Sequence, residues 1–290
     1  MSNENEAFES QFVEDATSLI LDPKHPGLGD VEYLKRREHF FALAREYRLA
    51  DKGVPRVEYT DNDRFVWREV CAKLKPIHEA KACKMYLEGR KILQIPTEDT
   101  PQLADLSAEI KELTGFGIAP AEGLINFRDF FGYLARGKML CTQYLRHHSK
   151  PGYTPEPDMV HDVLGHVPFL VNQEYVDYVR LVGRASQLAS DEQLVAFNRL
   201  YWFGIEFGLI EEQGEIKVFG AGLLSSIGEM EFCYSDEVTR LPFDIFDVTQ
   251  RDYDPTQMQQ VVYVIPSVGE MRKQTEELIR KFGLDASLAS

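Results

Sequence analysis

Apolar positions along the chain recur mostly at helical spacing. Between residues 31 and 50, Tyr33, Leu34, Phe40, Phe41, Leu43 and Ala44 gather on one face beside a charged one. That pattern predicts an amphipathic helix, stopped by Asp51-Lys52-Gly53-Val54-Pro55. A second helical stretch starts at about Asp63, breaks at Pro76 and resumes through Leu93. Thr100-Pro101 reads as an N-cap with proline in the first helical position, opening a helix that closes at Gly115. Asn126 reads as the cap of RDFFGYLAR, and Ser190-Asp191-Glu192 opens a long helix reaching about Ile210. Asp158 caps a short helix, MVHDVLG, which Gly165 and Pro168 terminate, and Pro266-Ser267 caps a last amphipathic helix ending near Phe282. Strand-like runs are short: CTQYL (141–145), EIKVF (215–219) and VVYVI (261–265). Helices therefore carry the core. The expected class is mostly α with a few short β-strands (α+β), in one catalytic domain, because no repeat or Gly/Ser/Pro-rich linker divides the chain.

Composition narrows the function classes. A length of 290 residues allows one or two domains and a core that needs no disulfide or metal to fold. Aromatic residues (18 Phe, 13 Tyr, 2 Trp) rule out a largely disordered chain. With 47 acidic against 32 basic residues the net charge is −15, which argues against nucleic acid or an anionic membrane surface as a partner. Cys71, Cys83, Cys141 and Cys233 form no CxxC pair, so they read as free thiols of a reducing compartment. Met1 to Phe12 is acidic and lacks the pattern of a signal peptide, and no run of 18 apolar residues occurs. The expected location is cytoplasmic.

Candidate chemistry concentrates in YTPEPDMVHDVLGHVP (153–168), where His161 and His166 stand five residues apart with glycine before the second. On an α-helix that spacing places the two about 140° apart around the axis, so they diverge. A zincin spaces its histidines i, i+4, and that reading fails. If the helix ends at Gly165, the backbone swings and His166 can turn back toward His161. The alternative is two unrelated histidines, one at a helix end and one in the core. Glu206 lies in LYWFGIEFGLI (200–210), apolar nearly all round, where an unpaired carboxylate would cost several kcal/mol. A cation or a buried arginine would compensate it. Two histidines and a carboxylate are the facial set of non-haem iron(II) oxygenases, although zinc hydrolases use the same donors.

The segments YTPEPDMVHDVLGHVPFL, LYWFGIEFGLI and VFGAGLLSSIGEMEF resemble the pterin-dependent aromatic amino acid hydroxylases. VPRVEYT, LTGFGIAPAEGLINFRDFF and CTQYLRHHSKPGYTPEPD add to the match, which covers roughly Asp22 to Phe282. The resemblance implies a mostly helical domain (22–290) after a short N-terminal extension (1–21). It implies mono-oxygenation of an aromatic amino acid by O2 with Fe(2+) and a tetrahydropterin, tetrahydrobiopterin or a related reduced pterin. The implied iron ligands are His161, His166 and Glu206. Arg146 would pair with the substrate carboxylate and Asp158 would hold that arginine. Thr154 and Ser225 would close round the amino-acid backbone, and Pro157 and Trp202 would wall the ring. On the pterin side the matching residues are Gly123, Ile125, Phe130 and Tyr201, with Asp162 as the acid. Trp202 stands where the family's tryptophan enzymes carry phenylalanine, so the expected reaction is phenylalanine to tyrosine; Asp254, in the loop over the site, keeps tyrosine as an alternative substrate. The sequence departs from the animal enzymes at Asp162 for glutamate, Leu140 for histidine and Phe127 for serine, all on the pterin side. The expected state is a monomer, without the family's regulatory and tetramerisation segments.

Overall fold

The computed structural model describes residues 25–50, 53–123 and 125–285; the extension 1–21 and Asp51-Lys52 of the first stop signal lie outside them. Helix Val31–Ala50 forms as its apolar periodicity predicts. Helix Asp61–Lys81 runs unbroken through Pro76, contrary to the expected interruption there. A proline in a helix interior costs about 3 kcal/mol, and the stripe Trp67, Val70, Cys71, Leu74 and His78 is buried on both sides of it. The break comes later, at Ala82 and Cys83, where the chain becomes extended and the Cys83 N–H donates to the Val218 carbonyl. Helix Lys84–Ile92 follows.

Thr100 is not a cap. The next helix is Leu103–Thr114, and the side chain of its preceding residue, Gln102, instead clamps the Val57 backbone through bonds of 3.0 and 2.9 Å. Strand β1 (Gly117–Pro120), helix Phe127–Ala135 and strand β2 (Lys138–Cys141) come next, with β1 and β2 paired in parallel from Gly117↔Lys138. Asn126 caps that helix as expected, accepting from Asp129 N–H. The strand expected at 141–145 thus ends at its first residue. Beyond it carboxylates replace ladder partners: Thr142 N–H donates to Asp162 and Arg146 N–H to Asp158.

Helix Gln173–Leu188, which is not among the predicted elements, packs against Phe127–Ala135. Ser190 caps Asp191–Leu200 with a reciprocal Gln193 bond, but this helix does not reach Ile210. It passes into a π turn, Tyr201–Glu206, and Leu209–Glu212 is strand β3. β4 (Glu215–Val218), β5 (Thr239–Pro242) and β6 (Val261–Ile265) complete a four-stranded sheet ordered β4-β3-β6-β5, antiparallel only between β3 and β4. Short helices Ala221–Leu224 and Ile227–Phe232 lie between β4 and β5, and Ser267 caps the final helix, Val268–Lys281. The mostly helical class with few short strands holds. All four cysteines are buried and unpaired, and no helix among the described residues is long and apolar enough to cross a membrane.

Candidate metal centre

The two histidines converge by a route different from the one expected. The chain does not end a helix at Gly165. His161–His166 is a π turn, and Val167–Val171 continues it as a 3-10 turn through Pro168. In a π turn hydrogen bonds run i→i+5, so residues five apart stack along one face. The His161 and His166 Nε2 atoms are 3.2 Å apart. Gly165 serves close approach instead: a Cβ there would stand 2.7 Å from the Ala221 carbonyl oxygen. Glu206 ends the second π turn and completes the set, with His166 Nε2 3.0 Å from Oε1 and His161 Nε2 3.5 Å from Oε2.

Electrostatics fit a cation at that point. Burial pushes His161 down to about 4 despite the Glu206 charge, so the ring is neutral and has a lone pair to offer. Its Nδ1 lies 2.9 Å from Ser225 Oγ, which turns Nε2 inward. Burial also opposes charge on His166 and on Glu206. The mutual attraction of the two outweighs it, holding the imidazole above and the carboxyl below their usual values. His166 Nδ1 is buried without a hydrogen-bond partner. Three donor atoms within 4.8 Å of one another, none from cysteine, suit iron(II) as a facial set.

Beside the centre, Arg146 donates from Nε and Nη2 to both oxygens of the fully buried Asp158, at 2.9 and 2.8 Å. Asp158 also accepts from Arg146 N–H (2.7 Å) and His161 N–H (3.2 Å), tying the arginine to the π turn. Burial would raise its pKa, but the guanidinium prevails and lowers it. The Thr154 hydroxyl closes a local turn with the Glu156 carbonyl (2.8 Å), and the exposed Pro157 accepts from Tyr144 OH at 2.6 Å. This segment is anchored by Arg37, which pairs with Glu156 and lies 4.0 Å over the Tyr144 ring. Ser225 touches His161 and donates to the Ala221 carbonyl at 2.8 Å, so its hydroxyl works through the histidine. Trp202 stacks on Tyr253 (centroids 4.1 Å apart, 11° between planes), and its Nε1 donates to Gln259 at 3.0 Å.

The residues expected on the pterin side form a continuous run. Tyr201 lies between His166 and Phe130, with ring centroids 6.3 and 5.2 Å away. Phe130 and Ile125 pack on the small apolar cluster of Ala119, Ala121 and Leu140. Gly123, at φ +108°, turns the backbone where a Cβ would press on Phe41, and its neighbour Leu124 lies outside the described residues. Asp162 is buried, and its Oδ2 accepts from Thr142 N–H (2.7 Å) and Oγ1 (2.9 Å). Burial raises its carboxyl to about 7 against those two bonds. Sequence reading missed Thr142, Tyr144, Tyr253 and Gln259, since each acts only through a residue distant in the chain.

Known proteins resemble this chain in sequence and fold. Residues 7–287 match the family model described as biopterin-dependent aromatic amino acid hydroxylase. The chain is 38% identical over 267 residues to a tyrosine 3-monooxygenase of Schistosoma mansoni, covering 91% of this chain and 57% of that protein. It is 39% identical over 258 residues to the phenylalanine-4-hydroxylase of Mus musculus, covering 88% and 57%. The chain thus spans somewhat over half the length of these curated relatives. A phenylalanine hydroxylase structure from Chromobacterium violaceum, with bound iron(III) and oxidised 7,8-dihydrobiopterin, superposes with a TM-score of 0.73 at 30% identity, over 78% of this chain and 84% of that one.

Proposed function

From the premise that the chain belongs to the biopterin-dependent aromatic amino acid hydroxylase family, we propose that it is a phenylalanine 4-monooxygenase, converting L-phenylalanine to L-tyrosine with O2 and a tetrahydropterin at a non-haem iron(II). The observation that carries this reading is the convergence of His161, His166 and Glu206 at the end of the aromatic run Phe130–Tyr201. Iron(II) and the reduced pterin, when bound, supply the oxygen-activating chemistry. The chain's own residues orient the reactants and keep water out. His161, His166 and Glu206 hold the ion on one face. Phe130 and Tyr201, packed edge to face at 81°, offer an aromatic wall to a pterin ring, and Gly123 and Ile125 offer backbone groups to its edge. Asp162, clamped by Thr142, presents a buried acid to the pterin side. Arg146 keeps Nη1 outside its fork with Asp158, so that amino group remains to donate to a substrate carboxylate.

Phenylalanine is favoured over the other rings by two observations. Trp202 is held by Tyr253, Phe207 and Gln259, which narrows the wall against an indole. Asp254, the acid that would favour tyrosine, uses both carboxylate oxygens on its own turn, with Thr256 at 2.8 and 2.6 Å and Gln257 at 2.8 Å. The test is incubation of the iron(II)-loaded chain with a tetrahydropterin and all three aromatic amino acids together under air, products identified by mass. Tyrosine as the main product is expected. Dihydroxyphenylalanine or 5-hydroxytryptophan as the main product overturns the substrate assignment, and no hydroxylation of any ring overturns the reaction. A zinc hydrolase with the same three ligands has no use for the Phe130–Tyr201 surface, and metal analysis of the purified protein separates it from an iron enzyme.

A further inference from the structure

Besides the three iron-centre residues, the structure brings together a second set of metal-ligating side chains. Asp30, His147 and His148 each offer one donor atom, all within 4.8 Å of one another. His147 is buried, with Nε2 3.3 Å from Asp30 Oδ2 and Nδ1 2.8 Å from Ser149 Oγ. His148 is half-buried, its ring centroid 4.3 Å from that of His147. Asp30 is fixed by the start of helix Val31–Ala50, its Oδ1 accepting from the N–H groups of Glu32 and Tyr33 at 3.0 Å. That leaves Oδ2 facing the imidazoles.

We propose that Asp30, His147 and His148 form a second metal site that takes one divalent transition ion of the zinc class. Two imidazoles and one carboxylate suit zinc, nickel, cobalt or copper and are poor ligands for calcium or magnesium. Three protein donors leave a fourth position open to water. With Nε2 on the ion, His147 carries its proton on Nδ1 and donates it to the Ser149 hydroxyl, the outer hydrogen bond that metal-bound histidines make, giving up the 3.3 Å bond that Nδ1 accepts from the Ser149 N–H. An ion pair between Asp30 and His147 alone accounts for two of the three donors and gives no role to His148. Asp30, Glu32, Arg36, Asp63, Arg146 and His148 line a cavity of about 130 Å³, which opens on two of the three donors and not on His147. Its two guanidiniums are already compensated, Arg36 by Asp63 at 2.6 Å and Arg146 by Asp158 at 2.8 Å. An ion there ties the start of helix Val31–Ala50 to the loop that directly follows Arg146.

The test uses the iron-saturated full chain titrated with Zn2+ in a calorimeter, with zinc and iron then counted by mass spectrometry after desalting. One zinc per chain in addition to the iron is expected. Loss of an outer partner weakens metal sites about 10- to 100-fold, so His148→Gly, which removes a ligand, should weaken zinc by at least about tenfold with iron content unchanged. Asp30→Asn keeps an oxygen for the helix start and gives a second, gentler variant with the same expected direction. Zinc taken up only at the expense of iron, or bound equally by the wild type and both variants, would overturn the proposal. So would a wild type that binds no zinc.

Discussion

A single imidazole decides whether a cation can sit among His161, His166 and Glu206. His161 is neutral because burial penalises its charged form, and Ser225 points its lone pair inward. His161→Ala, His166→Ala or Glu206→Ala should each abolish tight iron binding and turnover while the fold survives. Metal counting and a thermal melt check this, and full activity in any of the three would falsify the ligand assignment. Asp162 makes a different prediction, because its carboxylate is held by Thr142 and is not among the three ligands. In Asp162→Ala iron should persist, hydroxylation should fall, and more pterin should be oxidised per product formed. Parallel assays of product and oxidised pterin measure this ratio; loss of iron together with activity would make Asp162 a metal-holding residue instead. These roles were legible because the residue types are unusual for their surroundings, as with a carboxylate in an apolar helix. Thr142 and Gln259 were not legible, since an ordinary polar side chain gives no sign of a partner 20 or 57 positions away.

Among the secondary elements, the two π turns place the ligands, and each depends on a close neighbour. A Cβ on Gly165 would meet Ala221, in the short helix that leads directly to Ser225. Gly165→Ala should therefore cost about 1–3 kcal/mol by overpacking, seen in denaturant unfolding, and should weaken iron binding as the Ser225–His161 contact shifts. Helix Asp61–Lys81 is fixed to the same short helix from the other side, His78 Nε2 lying 2.7 Å from the Leu224 carbonyl and its Nδ1 3.1 Å from Tyr86 OH. Burial lowers His78 to about 4. Between pH 6.5 and 4 the unfolded chain binds a proton there that the folded chain refuses, so stability falls as pH falls through that window. His78→Gln should flatten this part of the profile, by up to about 3 kcal/mol at its acid end, as unfolding titrations at a series of pH values would show. Helix starts at Asn126, Ser190 and Ser267 were readable because a short polar side chain before an apolar run has one strong local use. Pro76 misled because its local cost is smaller than the burial of the stripe around it. The π turns were unreadable because a period of 3.6 was assumed where the chain follows an i→i+5 pattern.

For the molecule as a whole, the two segments expected to wall the substrate are held from opposite ends of the chain. Helix Val31–Ala50 anchors the Thr154–Asp158 segment through Arg37, while the loop carrying Tyr253 and Gln259 holds Trp202. Replacing Trp202 by phenylalanine removes the Gln259 bond and opens the second wall. Trp202→Phe should raise the kcat/KM for tryptophan relative to phenylalanine, and competition between the two amino acids measures the ratio; an unchanged ratio would remove Trp202 from the specificity wall.

The π turns also limit how this site can change over generations. A π turn is an α-helix that has accepted one extra residue, so deleting one position between His161 and His166 restores the shorter i→i+4 pattern with the two positions still on one face. The same holds between Tyr201 and Glu206. Substitutions inside either turn leave the count intact, and many should be tolerated. A change that straightens either turn into α-helix at unchanged length would splay positions five apart, so the turn and the residue count are inherited together.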